Sequence, residues 1–166
     1  EKVAAESLAR VLIFPAGTLS GEMEHLALDG TGAFAAPRSW GGTMSLRMSN
    51  VQRPEISFNN AVVDVSVEQG KATLRSADIV QDKNEFHLRG TVELPATFKD
   101  FGRTPATLEV AGTAADLQQL TAGTPLRLAG SAQFTGKIDI VNARIEANVG
   151  VTASSVGFPE GTIENI

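Results

Sequence analysis

The side chains best suited to metal binding in this sequence are two histidines, His25 and His87, and the chain has no cysteine. A zinc site needs three or four ligands at short, regular spacing. Two distant histidines without such partners are typical of surface residues, and His87 alternates with apolar residues, which places it on the polar side of a strand. We therefore predict no metal site.

A glycosidase would need two acidic side chains facing one cleft, and the candidate carboxylates are Asp64, Glu68, Asp78 and Asp82. They fall on outward-facing strand positions or around turns, where solvated charge is the usual state. The sequence also lacks a Gly-x-Ser-x-Gly motif, which would mark a hydrolase nucleophile. It therefore predicts a protein without catalytic residues or a cofactor.

Composition limits the remaining classes of function. The chain has 166 residues, of which 42% are hydrophobic, so it has enough apolar surface to fold. Its formal charge of -5 argues against nucleic acid, because phosphates select basic surfaces. No apolar run approaches the length of a transmembrane helix. We expect a soluble segment, residues 1–166, of a longer repetitive β protein.

Alternation of apolar and polar residues dominates the chain and predicts strands with one apolar face. Clear examples are 44–48, 63–67, 86–94 and 143–151, and about ten strands are expected over 18–166. Tight reversals between antiparallel strands are predicted at 69–70, 82–84 and 136–137. The first residues, 1–14, instead have the spacing of a short amphipathic helix that would cap the sheet. A second short helix is predicted within 113–120, with Thr113 as its cap.

Glycines recur at the same place in several predicted strands, always among the apolar positions. Gly30, Gly90, Gly112 and Gly130 each follow two alternating apolar residues. An inward-facing glycine in mid-strand marks a bend, a bulge or a close approach. A sheet that carries such a glycine in strand after strand is expected to curve into a trough.

The concave apolar side of this trough is the chief candidate for a binding site. Such a face ordinarily packs against a second sheet or a helix, but little helix is available here to cover it. Several arginines on polar positions, which are ordinarily solvated, are candidates to meet a lipid phosphate at the rim. These are Arg47, Arg75, Arg89, Arg127 and Arg144. The predicted groove residues are Val63, Val65, Val67, Leu74, Phe86, Leu88, Val92, Leu94, Leu108, Val110, Leu126, Leu128, Phe134, Ile145, Val149 and Val151.

Several stretches resemble the AsmA-like and TamB-like proteins of the Gram-negative envelope. The resemblance is carried by residues 116–120, 126–138, 143–151, 153–158 and 161–166, and 43–94 repeats the same style of hairpin. It implies a β-taco, an elongated antiparallel sheet whose apolar groove conducts phospholipid acyl chains between membranes. It further implies a periplasmic location, an inner-membrane anchor elsewhere in the full-length protein, and an outer-membrane assembly partner of the TamA type.

Two hypotheses of different classes follow. The first is a non-enzymatic lipid-conducting segment with an open apolar groove, one section of an intermembrane lipid-transport or outer-membrane assembly protein. The second is a closed β-solenoid that acts as an adhesin or polysaccharide-binding module, because glycine-bearing repeated strands also build solenoids. The first hypothesis predicts an open sheet with an exposed apolar groove, and the second predicts a dry, closed core.

Overall fold

The structure is a computed structural model that describes residues 3–4, 20–33, 35–53, 56–121, 128–141, 143–158 and 161–164. These residues form ten strands, one short helix and two 3₁₀ turns. The strands are β1 (Val3–Ala4), β2 (Ser20–Thr31), β3 (Gly41–Arg53), β4 (Ile56–Glu68), β5 (Lys71–Gln81), β6 (Asn84–Glu93), β7 (Ala106–Ala114), β8 (Ala129–Val141), β9 (Arg144–Phe158) and β10 (Gly161–Glu164). The helix α1 is Leu117–Thr121, and the 3₁₀ turns are Pro37–Ser39 and Phe98–Arg103.

The strands form one open sheet in sequence order, and each described pairing is antiparallel. The predicted fold class is therefore confirmed: the protein is all-β, an antiparallel sheet curved into a trough with little helix. A closed solenoid is not what these residues form. The reversal at Gln69 and Gly70 is also as predicted, and both residues have positive φ (51° and 75°), as a two-residue hairpin turn requires.

The register sorts the side chains onto two faces, because opposed residues of an antiparallel pair share a face. We call one of them the apolar face. Its two central rows cross the sheet from β2 to β9. One row is Leu26, Leu46, Val63, Ala77, Leu88, Val110, Gly136 and Val149, and the next is Leu28, Met44, Val65, Leu74, Gly90, Leu108, Ile138 and Ala147. The opposite side, which we call the polar face, carries Thr, Ser, Arg, Asp and Glu.

No second layer covers the apolar face within the described part of the chain. The described strands pack against their neighbours in sequence, and α1 packs against β8 at one end. The buried cluster at that end is small: Ala132, Ala153 and Val156, with Leu117 and Leu128 packed against it. Neither α1 nor a 3₁₀ turn is long or apolar enough to cross a bilayer. The fold is thus a single-layer sheet whose apolar side chains remain partly exposed.

Glycines on the apolar face allow neighbouring strands of the sheet to approach closely. A Cβ atom placed on Gly90 would lie 2.3 Å from the carbonyl oxygen of Thr107, and one on Gly112 would lie 2.5 Å from that of Glu85. The ring of Phe134 leans over Gly112 from the adjacent strand. Register shifts in β2, β5 and β9 add further irregularities. Glycines at close approaches and register shifts are features that bend a sheet, as the glycine repeat predicted.

The short helix after β7 is present, but its cap differs from the prediction. Thr113 lies within β7, and the carboxylate of Asp116 accepts hydrogen bonds from the backbone N–H groups of Gln118 and Gln119 at 3.0 and 3.2 Å. The helix starts later because β7 continues to pair with β8 as far as Ala114. Asp116 is therefore the N-cap.

Two other predictions need correction. Gly136 and Lys137 lie in the middle of β8, where Gly136 faces Val110 on one side and Val149 on the other, so they are not a turn. The predicted helix over 1–14 lies outside the described residues except for Val3 and Ala4. These two form β1 and pair with Met23 and Glu22, because the edge of β2 offers backbone hydrogen bonds to an extended chain.

Asn84 ties α1 to the rest of the sheet. Its side chain is fully buried, accepts from the backbone N–H of Asp116 at 2.9 Å, and donates to the Asp116 carbonyl at 3.3 Å and to the Gln119 side chain at 3.2 Å. Gln119 also donates to Asp82 in the β5–β6 turn. The buried amide thus joins two connections that are far apart in sequence.

Substitution of an inner-face glycine is expected to destabilise the sheet. Gly90→Ala places a methyl group against a carbonyl oxygen that cannot move without shifting β7, at a cost of about 1–3 kcal/mol. Gly150→Ala is the control: its Cβ meets Thr135 at an ordinary 3.8 Å, so the free energy of unfolding should stay equal or rise slightly. Urea unfolding measures both, and equal stability of the two variants would contradict the bending role of Gly90.

Removal of the buried amide is expected to release α1. Asn84→Ala leaves the backbone groups of Asp116 without their partner, which costs about 1–3 kcal/mol. Hydrogen exchange should increase most in 116–121. Asn60→Ala, at an exposed position of β4, is the control, and it should leave exchange in that segment unchanged. Undisturbed protection of 116–121 in the Asn84 variant would contradict this role.

Candidate functional site

The apolar face contains two clefts that meet at one side chain. The first, about 540 Å³, has Leu28, Met44, Val65, Val67 and Trp40 among its lining residues, and we call it the Trp40 cleft. Asp29, Thr31 and Thr43 also line it, together with glycines of β2 and β3 and the connection between them. The second, about 300 Å³, extends the same floor over β4 to β8, and we call it the aliphatic cleft. Its lining residues are Val65, Ala72, Leu74, Gly90, Thr91, Val92, Ala106, Thr107, Leu108, Ile138 and Ile140. Val65 belongs to both, so the clefts form a continuous strip.

The strip has the dimensions of a bilayer interior. It runs across the strands from β2 to β8, and six strand spacings of ~4.8 Å give a length of about 29 Å. The hydrocarbon core of a membrane is about 30 Å thick, and one lipid tail spans roughly half of it. A complete acyl chain therefore fits within the strip.

Three aromatic side chains form a cluster at the β2–β3 and β6–β7 connections, and one of them, Trp40, lines the strip. The indole N–H of Trp40 donates to the Ala33 carbonyl at 2.9 Å, which fixes the ring and satisfies its only polar group. The Trp40 ring lies 5.5 Å from that of Phe98, which lies 5.7 Å from that of Phe101. The connections after β2 and after β6 are thus joined at this end.

Most of the predicted groove residues lie together on the apolar face. The exceptions are Leu94, Leu126 and Leu128. Leu94 follows β6 and is buried, with its backbone N–H donating to Gly70 at 2.7 Å and its carbonyl accepting from Arg38 at 3.2 Å. Leu128 packs against the small cluster beneath α1, and Leu126 lies outside the described residues. The alternation pattern did not show that these positions belong to the ends of the sheet.

Sequence reasoning also missed residues of the strip. Met44 alternates with polar neighbours, and Leu28 lies in the glycine repeat; both signals were visible in the sequence without placing either residue in the groove. Ile138 and Ile140 lie beside Leu108 and Ala106. They were missed because Gly136 and Lys137 were assigned to a turn, which interrupts the alternation of β8.

The polar face holds the histidine and charged residues considered above. His87 Nδ1 lies 2.7 Å from Asp78 Oδ1, and the guanidinium of Arg89 donates to Glu109 at 2.5 Å, both across adjacent strands. They border a cleft of about 870 Å³ on this face. Among the described residues, no three His, Asp or Glu side chains are grouped closely enough to hold a metal ion. Charged and polar side chains of β5 to β9, among them Arg75, Glu109 and Lys137, line this cleft.

The other charged candidates are dispersed over the polar face and the ends of the strands. Asp64 lies on β4, Glu68 ends that strand, and Asp82 lies in the β5–β6 turn with a positive φ. Arg47 and Arg144 are exposed on β3 and β9, and Arg127 lies outside the described residues. Arg75 is at the register shift of β5, where its Nε donates to the buried Ser66 hydroxyl at 3.2 Å.

Asp139 has the one resolved pKa shift among the described residues. The Thr107 hydroxyl donates to its Oδ1 at 2.6 Å, and the Lys137 ammonium lies 2.9 Å from its Oδ2. These two contacts, in that order, lower the pKa of Asp139 below its ordinary value. Since the folded-state pKa is depressed, the contacts stabilise the fold above the unfolded-state pKa, and this contribution is lost as the pH falls through the folded value.

Comparison with protein-family models, with curated proteins and with solved structures gives no match for this chain. The functional assignment therefore depends on the geometry of the faces and on the chemistry of the residues that line them.

Removal of the Thr107 hydroxyl is expected to raise the pKa of Asp139. Thr107→Val keeps the β-branched shape but deletes the donor, so the carboxylate loses its largest stabilising contact. Carbon-detected NMR titration measures this pKa directly. Thr113→Val, on the same strand and face but distant from Asp139, is the control. An unchanged Asp139 pKa in Thr107→Val would show that the hydroxyl does not act on it.

Proposed function

We propose that this segment binds the acyl chains of phospholipids along its apolar face and lets them pass along it, without catalysis. The observation that carries the proposal is the continuous apolar strip from β2 to β8, which no described element covers. Apolar faces of soluble proteins are normally packed against another layer. A face left open over seven strands is typical of a surface with an apolar ligand.

The chemistry of the strip favours a hydrocarbon over a polar ligand. Apart from Thr91 and Thr107, the aliphatic cleft is lined by Val, Leu, Ile, Ala and Gly, and the side chains of both threonines belong to the polar face. Each acyl CH₂ that leaves water contributes about 0.8 kcal/mol. Such binding is non-directional, so it tolerates different chains and allows them to slide. These are properties that a conducting groove requires.

The wider role that we propose follows from the resemblance described above. The segment would be one section of a periplasmic protein in lipid transport or outer-membrane assembly, anchored in the inner membrane by another part of the full-length chain. Its protein partner would be an outer-membrane assembly protein of the TamA type. The alternative, an adhesin or polysaccharide-binding solenoid, needs a closed core, which the open sheet does not support.

The first test is mass spectrometry of an organic extract of the purified protein. We expect phospholipid in the native sample and its loss in the double variant Val65→Asp, Leu108→Asp, since charge in the strip disfavours hydrocarbon while water still reaches the carboxylates. The matched control is Thr113→Asp, Thr135→Asp, which adds the same charge to the polar face of β7 and β8 and should retain lipid. Leu128 is unsuitable because it packs in the end cluster.

A lipid-free native sample would be loaded with a fluorescent fatty acid before a conclusion is drawn. If a well-folded native protein neither retains phospholipid nor binds the probe, the proposal is wrong. It is also wrong if both double variants lose lipid to the same extent, because binding would then not depend on the apolar face.

The fluorescence of Trp40 provides an independent measure of where the bound acyl chain lies. It is the only tryptophan, and the sequence has no tyrosine, so its fluorescence is unmixed. Because Trp40 lines the strip, a fatty acid brominated at mid-chain should quench this emission in the native protein. Quenching should be retained in Thr113→Asp, Thr135→Asp and reduced several-fold in Val65→Asp, Leu108→Asp. Equal quenching of all three proteins would indicate binding away from the strip.

A further inference from the structure

The polar face contains a large cleft that the proposed function does not use. It has a volume of about 870 Å³ and crosses β5 to β9, and we call it the polar cleft. Ala111, Thr135 and Gly150 are opposed in register on three successive strands, and these small residues form its floor among longer charged side chains. The cleft lies within the sheet, since β5, β6, β7 and β8 are each paired on both sides.

A β-bulge in β5 gives this cleft an additional polar side chain. The register of β5 against β6 passes from the pair 74 and 90 directly to the pair 77 and 88, so Arg75 and Ser76 together oppose Arg89. A bulge of this kind redirects a side chain from its regular position in the pleat. All three residues line the polar cleft. The bulge therefore brings two guanidinium groups and a hydroxyl to neighbouring positions of one face.

Each of the two arginines is held by a hydrogen bond from its Nε atom. Arg75 Nε donates at 3.2 Å to the hydroxyl of Ser66, a buried residue, and Arg89 Nε donates at 2.5 Å to the carboxylate of Glu109. A guanidinium has five N–H donors, and these contacts use one donor of each. The terminal amino groups form a planar fork that matches the oxygens of a phosphate or carboxylate.

The charge around the two arginines favours an anion. Arg75 and Arg89 are opposed like charges, which repel. Glu109 compensates one of them. Asp64 of β4 is opposed to Ser76, and within the described part of the chain it forms no ion pair with Arg75. The other ion pairs at the cleft are His87 with Asp78 and Lys137 with Asp139. A local excess of positive charge is thus present in a chain whose formal charge is -5.

We propose that the polar cleft binds a phosphate group between Arg75 and Arg89, with the Ser76 hydroxyl as a further donor. Phosphate suits the site better than a carboxylate, because it has enough oxygens to accept from two guanidinium forks at once. The site is on the face opposite the strip, so it does not depend on acyl-chain binding. Its phosphate belongs either to a soluble phosphate compound or to a lipid headgroup at a membrane surface.

Titration with inorganic phosphate at fixed ionic strength tests the site, with NMR detection of the arginine Nε–H and backbone amide signals. We expect saturable shifts at Arg75, Ser76 and Arg89. Arg75→Gln should weaken binding at least several-fold. Arg47→Gln is the matched control, because it removes the same charge from an exposed position of β3 on the same face but outside the cleft. The absence of saturable shifts, or equal weakening in both variants, overturns the proposal.

Removal of the competing carboxylate should have the opposite effect. Glu109→Gln keeps an acceptor for Arg89 Nε but deletes the negative charge, so phosphate should bind several-fold more tightly. Partial unfolding cannot produce such a gain, so this variant remains decisive if Arg75→Gln is less stable because the buried Ser66 hydroxyl loses its partner. Unchanged or weaker binding in Glu109→Gln also overturns the proposal.

Vesicles distinguish the two sources of the phosphate group. Phosphatidic acid vesicles present a phosphate monoester, and vesicles of phosphatidylcholine alone serve as the reference. Co-sedimentation with phosphatidic acid vesicles that is lost in Arg75→Gln and retained in Arg47→Gln would assign the site to lipid headgroups. Binding of inorganic phosphate without such co-sedimentation would assign it to soluble phosphate compounds. Either result supports the site, and neither depends on the lipid content of the strip.

Discussion

The backbone ladder between strands that are neighbours in sequence is the interaction on which this structure depends. A single-layer sheet has no second layer whose packing could fix its register, so hydrogen bonding and cross-strand side-chain pairs must do so. The tight turns at Gln69–Gly70 and Asp82–Lys83 set the pairings β4–β5 and β5–β6. Alternation of apolar and polar residues then keeps the apolar side chains on the same face of each strand. Because every pairing is local, each strand needs only its neighbours to be placed.

The ends of the strands provide the order that a packed core would otherwise provide. At one end, Asn84 joins the β5–β6 turn to α1 through a buried amide. At the other, Arg38 donates to the Leu94 carbonyl and the Trp40 ring lies tilted against that of Phe98, which joins the connections after β2 and β6. These contacts lie at the ends of the strands, and Trp40 also lines the strip. Between the two ends, the floor of the aliphatic cleft consists mainly of aliphatic side chains and Gly90.

Alternation was sufficient to predict the class of fold, because period two is the direct signature of a one-sided strand. It failed where a local signal had two meanings. Gly136 followed by Lys137 is a turn sequence, but in β8 the glycine makes room for Val149, which only the neighbouring strand reveals. Leu94 and Leu128 have the same type and spacing as groove residues, and their burial at the ends depends on connections that no periodicity encodes. Asp116 likewise displaced Thr113 as helix cap because β7 continues to pair.

The absence of a second layer among the described residues determines where apolar surface is exposed. In a two-layer domain, burial of the apolar faces provides most of the stabilisation, and edges are a secondary problem. In this sheet, side chains at the centre are shielded by their neighbours on both sides, whereas those at 25–31 of β2 and 144–153 of β9 have a described neighbouring strand on one side only. Exposure accordingly peaks at Leu28 and Ile145. A hydrocarbon chain across the strip would remove the apolar surface of the face from water, which is the contribution that a second layer makes in a two-layer domain.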